Sequence, residues 1–533
     1  MDFFADAAGT VVESGGAAEA GGASGEGGDF LSRAVKRFFG LDYLFPYQRL
    51  VVSNILEAFD ALKPGPVSET TERSPPAETP DRAVLGRQIV ILPTGAGKSL
   101  CFHLPAMLLE GATLVLYPIL SLMADQERRL RSRGFNPALL RGGQSEDERA
   151  GIFRRVQSGE SRFIIANPEV LLTQKMMNVL PELNIVHVVI DEAHCVSEWG
   201  ERFRPAYLRV SEIVDALRGA PGADGFSLPL VTAFTATASA PVLEKIERAV
   251  FGSSSFPVNR IVGNPDRSNI EYAARGALLR DVAVRDLLFK NRLPAIVFCS
   301  SRERTEKLAR YLRRWFGEKT RFYHAGLSRE ERGDTEKWFF ENDEIVLAAT
   351  CAFGLGIDRG DIRTVIHRDC PPSAEAYLQE SGRAGRDGLA SKAILLWGED
   401  DRFALVRAGS EENRRRVEKL LAYARNVSTC RRQALLDMMD YRPPGPLPES
   451  PEEGCCDVCS GTASAYYREE RSLADFFRRN KRCYTPAEAA RVLAEAKEAA
   501  WQEEDAKLAL SSLVKMGKLT IRNRFPWKGT IES

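Results

Sequence analysis

The apolar run Ile89-Val90-Ile91-Leu92 ends at Pro93-Thr94-Gly95-Ala96-Gly97-Lys98-Ser99, and this junction constrains the chain more than any other stretch. It reads as a buried strand entering a glycine turn. Glycine has no Cβ, so the backbone can curl its N–H groups around a polyphosphate at the positive end of the following helix. Thr94, Gly95, Ala96 and Gly97 form the expected cradle, Lys98 reaches the β- and γ-phosphates of ATP, and Ser99 sets its hydroxyl on Mg²⁺. The strict eight-residue phosphate loop wants glycine where this chain has Leu92, so the match is to the shorter T-G-x-G-K-S form. A solvated turn with a chance lysine is the bland alternative, and the rest of the chain must decide.

The chain has 533 residues, enough for three or four domains, and 44% hydrophobic with 27% charged residues is globular stock. The 73 basic side chains equal the 73 acidic ones, which gives no sign of a polyanionic partner. The charge is nevertheless polarised. Asp2, Asp6, Glu13, Glu19, Glu26 and Asp29 stand in a lysine- and arginine-free N-terminus, leaving +6 on the remainder, so a local basic groove is allowed. This acidic segment lacks the basic-then-apolar order of a secretory signal, and the best apolar stretch, Ala112 to Ala124, is broken by Pro118. Neither export nor membrane insertion is expected. Of ten cysteines, four gather late in the chain, which suits a reducing cytoplasm with one metal site better than a disulfide framework.

Residues 1–29 are too poor in apolar groups to offset ordering entropy and read as a disordered acidic tail. Helices are expected over Phe30 to Phe39 and Gln48 to Leu62. The amide of Gln48 can donate and accept at once, which fits the N6 and N7 edge of adenine, although a capping glutamine is the ordinary reading. Residues 63–83, with Pro64, Pro66, Pro75, Pro76 and Pro80, read as a mobile insert. Strands at Leu114 to Tyr117 and Phe163 to Ala166 lead into Pro118 to Gln126 and Asn167-Pro168-Glu169, loops that line ligand crevices in parallel α/β sheets. The run Ile185 to Ile190 delivers Asp191-Glu192-Ala193-His194. Two carboxylates at a buried strand tip are costly unless used, so Asp191 is expected to hold Mg²⁺ and Glu192 to orient and deprotonate the attacking water.

After Cys195 the chain mixes aromatics and arginines, with Trp199, Phe203 and Arg204 suited to stacking on unpaired bases and holding phosphates. Packing is an equal alternative for Trp199. With Phe234-Thr235-Ala236-Thr237-Ala238, the phosphate loop and the D-E-A-H box, this stretch closely resembles the RecQ family of superfamily 2 DNA helicases. In that family the loop after the box couples single-stranded DNA to ATP hydrolysis.

A second α/β unit begins near Asn264, with strands at Ala295 to Ser300 and Val346 to Thr350 and a helix burying Leu308, Tyr311, Leu312 and Trp315. It has no phosphate loop but carries Gln379-Glu380-Ser381-Gly382-Arg383-Ala384-Gly385-Arg386. The two guanidiniums share a face if that segment begins a helix, and can neutralise charge on a transferred phosphoryl group, a role worth ~10³ to 10⁵ in rate. A surface basic turn is the alternative. The resemblance also implies nucleotide contacts at Asp358 and Gln379.

Cys430, then Cys455, Cys456 and Cys459, look like the zinc subdomain that follows the RecQ motor. Relatives separate the two middle ligands, whereas Cys455 and Cys456 are adjacent here. Cys455 is the favoured fourth ligand, with Glu453 or Cys483 in reserve. From Leu473 onward, helices and a hairpin of Lys518 to Arg524 with Lys528 to Ile531 suggest a compact winged helix. Its turn, Arg524-Phe525-Pro526-Trp527-Lys528, sets Phe525 and Trp527 between cations, suited to a duplex end or equally to packing. No helicase-and-ribonuclease-D C-terminal module is expected.

The fold class expected is therefore α/β: two tandem RecA-like parallel-sheet lobes at 30–262 and 263–408, a zinc-binding helical hairpin at 409–461 and a short winged helix at 462–533. The resemblance implies an ATP-dependent 3′-to-5′ DNA helicase of repair, recombination and replication, with ATP hydrolysed between the lobes. Rival readings are a single-strand translocase that does not unwind and a nucleotide-gated DNA-binding clamp. The expected partners are single-stranded DNA and duplex junctions, with a single-strand-binding protein as a further candidate. A monomer, cytoplasmic or nucleoid-associated, is expected.

Overall fold

The computed structural model describes residues 29–62, 85–93, 95–196, 205–218, 229–252, 257–353, 359–398, 401–441, 454–495, 503–524 and 526–532. The chain divides into two compact units, Met1–Pro265 with Met439–Gly445, and Asp266–Met438 with Pro446–Ser533.

The first unit is built on a seven-stranded sheet, β1 (Arg87–Ile91), β2 (Ala112–Leu116), β3 (Ala138–Leu140), β4 (Phe163–Ala166), β5 (Ile185–Ile190), β6 (Leu230–Thr235) and β7 (Asn259–Val262). The spatial order is β3-β4-β2-β5-β6-β1-β7, with every pairing parallel. Every residue of β1, β2, β5 and β6 is buried. That is the physical meaning of their largely apolar composition, because helices cover both faces of a parallel sheet. Ile89, Ile91, Leu114, Leu116 and Ile190 meet Ile152, Met176, Ile213 and Ile246 on one side. Val90, Leu92, Val115 and Val189 meet Val51, Ile55, Cys101 and Phe102, from the helices Pro46–Leu62 and Lys98–Leu108, on the other. The first of these helices starts at Pro46 rather than Gln48, since proline's fixed φ and missing N–H suit a first turn.

The second unit carries six parallel strands, β8 (Ile270–Gly276), β9 (Ala295–Phe298), β10 (Thr320–Tyr323), β11 (Val346–Ala349), β12 (Thr364–His367) and β13 (Ser391–Trp397), in the order β10-β11-β9-β12-β13-β8. Edge strand β8 alternates buried and half-buried residues. Its free edge is taken by the cysteine-bearing segment: Tyr272 N donates to Cys455 O at 3.2 Å and Asp457 N donates to Tyr272 O at 3.0 Å.

The C-terminal segment has helices Arg468–Arg479, Pro486–Glu495 and Glu503–Lys515 and a hairpin, β14 (Thr520–Ile521) with β15 (Ile531–Glu532). The hairpin strands are shorter than the sequence pattern suggested. Leu473, Phe477, Leu510, Leu513 and Ile531 share one core with Leu279 and Val282, so this segment packs on the helix Arg280–Lys290 and its N-cap. The expected stripe on Arg302–Phe316 holds at Leu308 and Leu312, whereas Trp315 is 46% exposed. Trp315 instead meets Phe289 edge-on and lies under the Arg285 guanidinium. Among the described residues no helix is long and apolar enough to cross a membrane.

Candidate functional site

The glycine turn follows β1 with Gly95 at φ 87° and Gly97 at φ 72°, values in the left-handed region that a Cβ disfavours. Gly97 caps the helix Lys98–Leu108, so the loop ends on exposed helix N–H groups. Lys98 Nζ folds back to donate to Leu92 O at 3.3 Å. Ser99 lies in the first turn of the same helix. Thr94 lies outside the described residues.

Gln48 reaches this loop from the helix Pro46–Leu62. Its Nε2 donates to Ala96 O at 3.0 Å, and its Oε1 accepts from Phe45 N at 3.0 Å. An amide nitrogen has two protons and its oxygen two lone pairs, so one donor and one acceptor are left for an adenine edge. A Cβ on Gly97 would come within 2.6 Å of Gln48 Nε2, so glycine is needed for the close approach as well as for the turn.

The paired carboxylates follow β5. Asp191 N donates to Leu116 O of β2 at 3.0 Å and Ala193 N donates to Phe234 O of β6 at 2.8 Å, which anchors the box to both neighbouring strands. Burial and the adjacent Glu192 charge push the Asp191 carboxyl up to about 7, with Lys98 pulling the other way. A divalent cation at such a carboxylate relieves both penalties. Glu192 stands at φ 51°, a conformation that costs a non-glycine residue ~1 to 2 kcal/mol. Glu192 N donates to Asp191 Oδ1 at 2.9 Å, and Glu192 Oε2 lies 3.4 Å from His194 Nδ1. The same His194 nitrogen is 3.2 Å from Thr235 Oγ1, whose hydroxyl donates to Thr237 O at 3.0 Å. The carboxylate box is thus tied to the Phe234-to-Ala238 segment through His194 and Thr235, a link that adjacent motifs in sequence do not reveal.

Trp199, Phe203 and Arg204 lie outside the described residues. On the same unit, a cavity of about 380 Å³ opens where β3 and β4 end, lined by Leu120, Arg141, Gly142, Arg149, Asn167 and Thr173 among others. Asn167 Nδ2 donates to Glu169 Oε2 at 2.8 Å, and its buried Oδ1 has no hydrogen-bond partner. Arg141 follows β3 and Arg149 lies on the helix Glu146–Gln157; the sequence singled out neither, although Asn167 at the end of β4 marks this cavity.

In the second unit Gln379 sits in the helix Ala374–Ser381, and Arg383 and Arg386 follow its C-terminus in successive turns. They do not begin a helix, so the shared-face argument from helical spacing is corrected. Gly385 at φ 54° breaks the spiral, and Gly385 N donates to Ile362 O at 2.8 Å instead. Asp358 lies outside the described residues. Beside the ends of β9 and β12, Asp369 accepts from Arg304 at 2.7 Å, Arg368 at 2.9 Å and Arg280 at 3.3 Å. Burial alone would push its carboxyl up, but these guanidiniums and the Ser300 N–H hold it down at about 2. Widely separated in sequence, this network was not anticipated.

The sulfurs of Cys430, Cys455, Cys456 and Cys459 all lie within 4.8 Å of one another. Cys430 Sγ is 3.7 Å from that of Cys455 and 3.9 Å from that of Cys456. Tetrahedral Zn²⁺ with Zn–S near 2.3 Å requires sulfur separations of about 3.8 Å, so the donor set and its spacing fit zinc. Arg431 N and Cys459 N each donate to Cys456 Sγ at 3.4 Å, which favours a thiolate there. The Cys430 thiol and burial push Cys456 up to about 12, while burial and Cys456 push Cys459 up to about 11. A bound dication would let such crowded sulfurs ionise together. Cys483 is exposed and donates to Lys481 O at 3.6 Å, outside the cluster, and Glu453 lies outside the described residues. In the C-terminal hairpin Trp527 is 47% exposed, and Phe525 lies outside the described residues.

Residues 45–246 match the DEAD/DEAH box helicase family model and residues 280–388 the helicase conserved C-terminal domain. ATP-dependent DNA helicase RecQ of Bacillus subtilis (strain 168) is 30% identical over 418 residues, covering 76% of this chain and 68% of that protein. ATP-dependent DNA helicase RecQ of Pasteurella multocida (strain Pm70) is 32% identical over 398 residues, covering 73% of this chain. The chain spans 60% of the length of that second relative. Among solved structures, DUF1998 helicase MrfA bound to DNA aligns with a TM-score of 0.53 at 20% identity, covering 75% of this chain and 55% of its own. That likeness is one of fold.

Proposed function

The chain belongs to the RecQ family of ATP-dependent DNA helicases, and on that premise we propose that it hydrolyses Mg·ATP to move along single-stranded DNA in the 3′-to-5′ direction and separate the duplex ahead. The observation that carries the reading is the convergence on one sheet of the Gly95-to-Ser99 turn, the Gln48 amide bonded to that turn, and the Asp191-Glu192 pair anchored to β2 and β6. Lys98 and the loop N–H groups bind the phosphates, Ser99 and Asp191 hold Mg²⁺, and Glu192 takes the proton of the attacking water. Arg383 and Arg386 stabilise charge on the transferred phosphoryl group, with Gln379 and Asp358 as further nucleotide contacts. Magnesium supplies charge neutralisation on the phosphates when bound.

Trp199, Phe203 and Arg204, with Arg141 just after β3 and Arg149 on the helix Glu146–Gln157, contact single-stranded DNA, and Trp527 with Phe525 meets the duplex end in a winged-helix arrangement. Cys430, Cys455, Cys456 and Cys459 hold a structural Zn²⁺, since four thiolates leave no open position. The functional divisions are taken as 30–262, 263–408, 409–461 and 462–533. A single-strand-binding protein is the proposed partner, and a monomer the working state.

Strand displacement on 3′-tailed DNA and RNA duplexes, with ATP turnover measured with and without single-stranded DNA, tests the reading. Unwinding of tailed DNA with DNA-stimulated turnover is expected. Stimulated turnover without displacement would favour a translocase, and turnover indifferent to DNA would favour a clamp.

A further inference from the structure

The turn that carries Arg383 and Arg386 has no regular secondary structure, and its carbonyls are held by side chains from the segment just before β8. Arg267 Nη1 donates to Gly382 O at 3.3 Å, and Arg267 Nη2 donates to Ala384 O at 3.4 Å and Gly385 O at 2.7 Å. Asn269 Nδ2 donates to Gly385 O at 2.8 Å and to Leu389 O at 2.9 Å. The clamp therefore grips the peptide unit immediately before Arg383, the Ala384–Gly385 unit and the unit immediately before Arg386. It tolerates no Cβ at Gly385, which would come within 2.5 Å of Asn269 Nδ2, 2.5 Å of Ser391 Oγ and 2.6 Å of Leu389 O.

The clamp is itself clamped. Arg432, two residues after Cys430, donates through Nη1 to Arg267 O at 3.0 Å and through Nη2 to Ile270 O at 2.9 Å and Ser268 O at 3.4 Å. Its guanidinium also pairs with Asp266 and lies 5.6 Å over the Tyr272 ring. Tyr272 in turn exchanges backbone hydrogen bonds with Cys455 and Asp457. A continuous run of directed bonds therefore joins the cysteine cluster, through one arginine and the Asp266-to-Ile270 segment, to the arginine turn. All of it lies within the second unit.

We propose that Arg432, Arg267 and Asn269 are positioning residues for ATP hydrolysis, setting where the Arg383 and Arg386 guanidiniums are delivered. This rests on the reading of those two arginines as catalytic. Charge stabilisation by preorganised groups is steep in distance, and misplacement by about 1 Å can cost ~10²-fold in rate. A guanidinium fork bonded to three carbonyls fixes the turn where a lysine's single point charge does not.

Single-turnover ATP hydrolysis with saturating single-stranded DNA tests this on the full chain carrying Arg267→Lys, Asn269→Ala or Arg432→Lys, each alone and combined with Arg383→Ala and Arg386→Ala together. Binding of a non-hydrolysable ATP analogue, zinc content and thermal midpoint are followed alongside. Arg267→Lys should lower the hydrolysis rate ~10²-fold and Asn269→Ala about 10-fold. Analogue affinity should stay within about threefold, because the clamp acts on the hydrolysis step and not on ground-state binding. In the background lacking both arginines the same changes should lower the rate less than about twofold further, since groups already removed cannot be misplaced.

Rate losses that multiply in the background lacking both arginines, or that follow the thermal midpoint and zinc content, would mean a merely structural clamp and overturn the proposal. Should Arg432→Lys fail to fold, Asn269→Ala still decides, because it touches only the carbonyls of Gly385 and Leu389. If Arg383→Ala and Arg386→Ala themselves leave the rate unchanged, the catalytic reading of the turn fails first, and the positioning proposal falls with it.

Discussion

Replacing Asp457 by asparagine should loosen the cysteine cluster from its sheet. Asp457 is 5% exposed and Arg431 1% exposed. Arg431 Nε donates to Asp457 Oδ1 at 2.8 Å and Arg431 Nη2 donates to Oδ2 at 3.3 Å, while Oδ2 also accepts from Ala274 N at 2.9 Å. One carboxylate thus neutralises a buried guanidinium and pins the segment between Cys456 and Cys459 to β8. Breaking a buried ion pair costs ~3 to 5 kcal/mol because the surviving charge is stranded. The amide keeps one acceptor, so the lower end applies, about 3 kcal/mol. For a unit of this size that corresponds to a fall of roughly 6 to 12 °C in the midpoint of its thermal transition. Calorimetry and zinc content on the same preparation give the result. Adding Arg431→Gln should recover at least ~1 kcal/mol, because the orphan charge is then gone. A single-variant shift below about 2 °C with full zinc content would refute the account of Asp457 as the tether.

Lys98→Ala should abolish ATP turnover while leaving single-stranded DNA affinity within about threefold, and retained turnover would contradict the phosphate-loop assignment. Gln48→Ala removes the donor to Ala96 O, and the preference for ATP over GTP should collapse in competition assays; an unchanged preference refutes the adenine contact. Asp369 is held down at about 2 against an ordinary 3.8, so it contributes about 2 kcal/mol of stability above pH 4, lost as pH falls through 2. The gap in thermal midpoint between the native chain and Asp369→Asn should therefore shrink on acidification from pH 7 to pH 2.5, and a constant gap would refute it.

The apolar runs before Pro93 and before Asp191 were legible because a strand buried on both faces has no polar face to dilute its composition, and β1 and β5 are such strands. The glycine turn, the carboxylate pair and the cysteine spacing were legible for a related reason: each is a local geometry that only certain residues can adopt. Even the adjacent Cys455 and Cys456, unlike the usual separation, both place sulfurs in the cluster.

What neighbours in sequence could not supply was the direction of long side chains. Helical spacing put Trp315 in the core, yet the ring is 46% exposed beside Phe289. The same logic put the arginine pair on one face only if their segment began a helix, whereas the helix ends at Ser381 and the pair stands in turns around Gly385, which is crowded by Asn269, Ser391 and Leu389. The sequence alone marked the groups proposed to carry the chemistry, since strand burial and glycine geometry are written locally. Only tertiary structure decided what holds them, because Arg267, Arg280, Arg431 and Arg432 find partners dozens to more than a hundred positions away or across a turn. A guanidinium's reach and five donors leave those partners unspecified until the sheet brings them together.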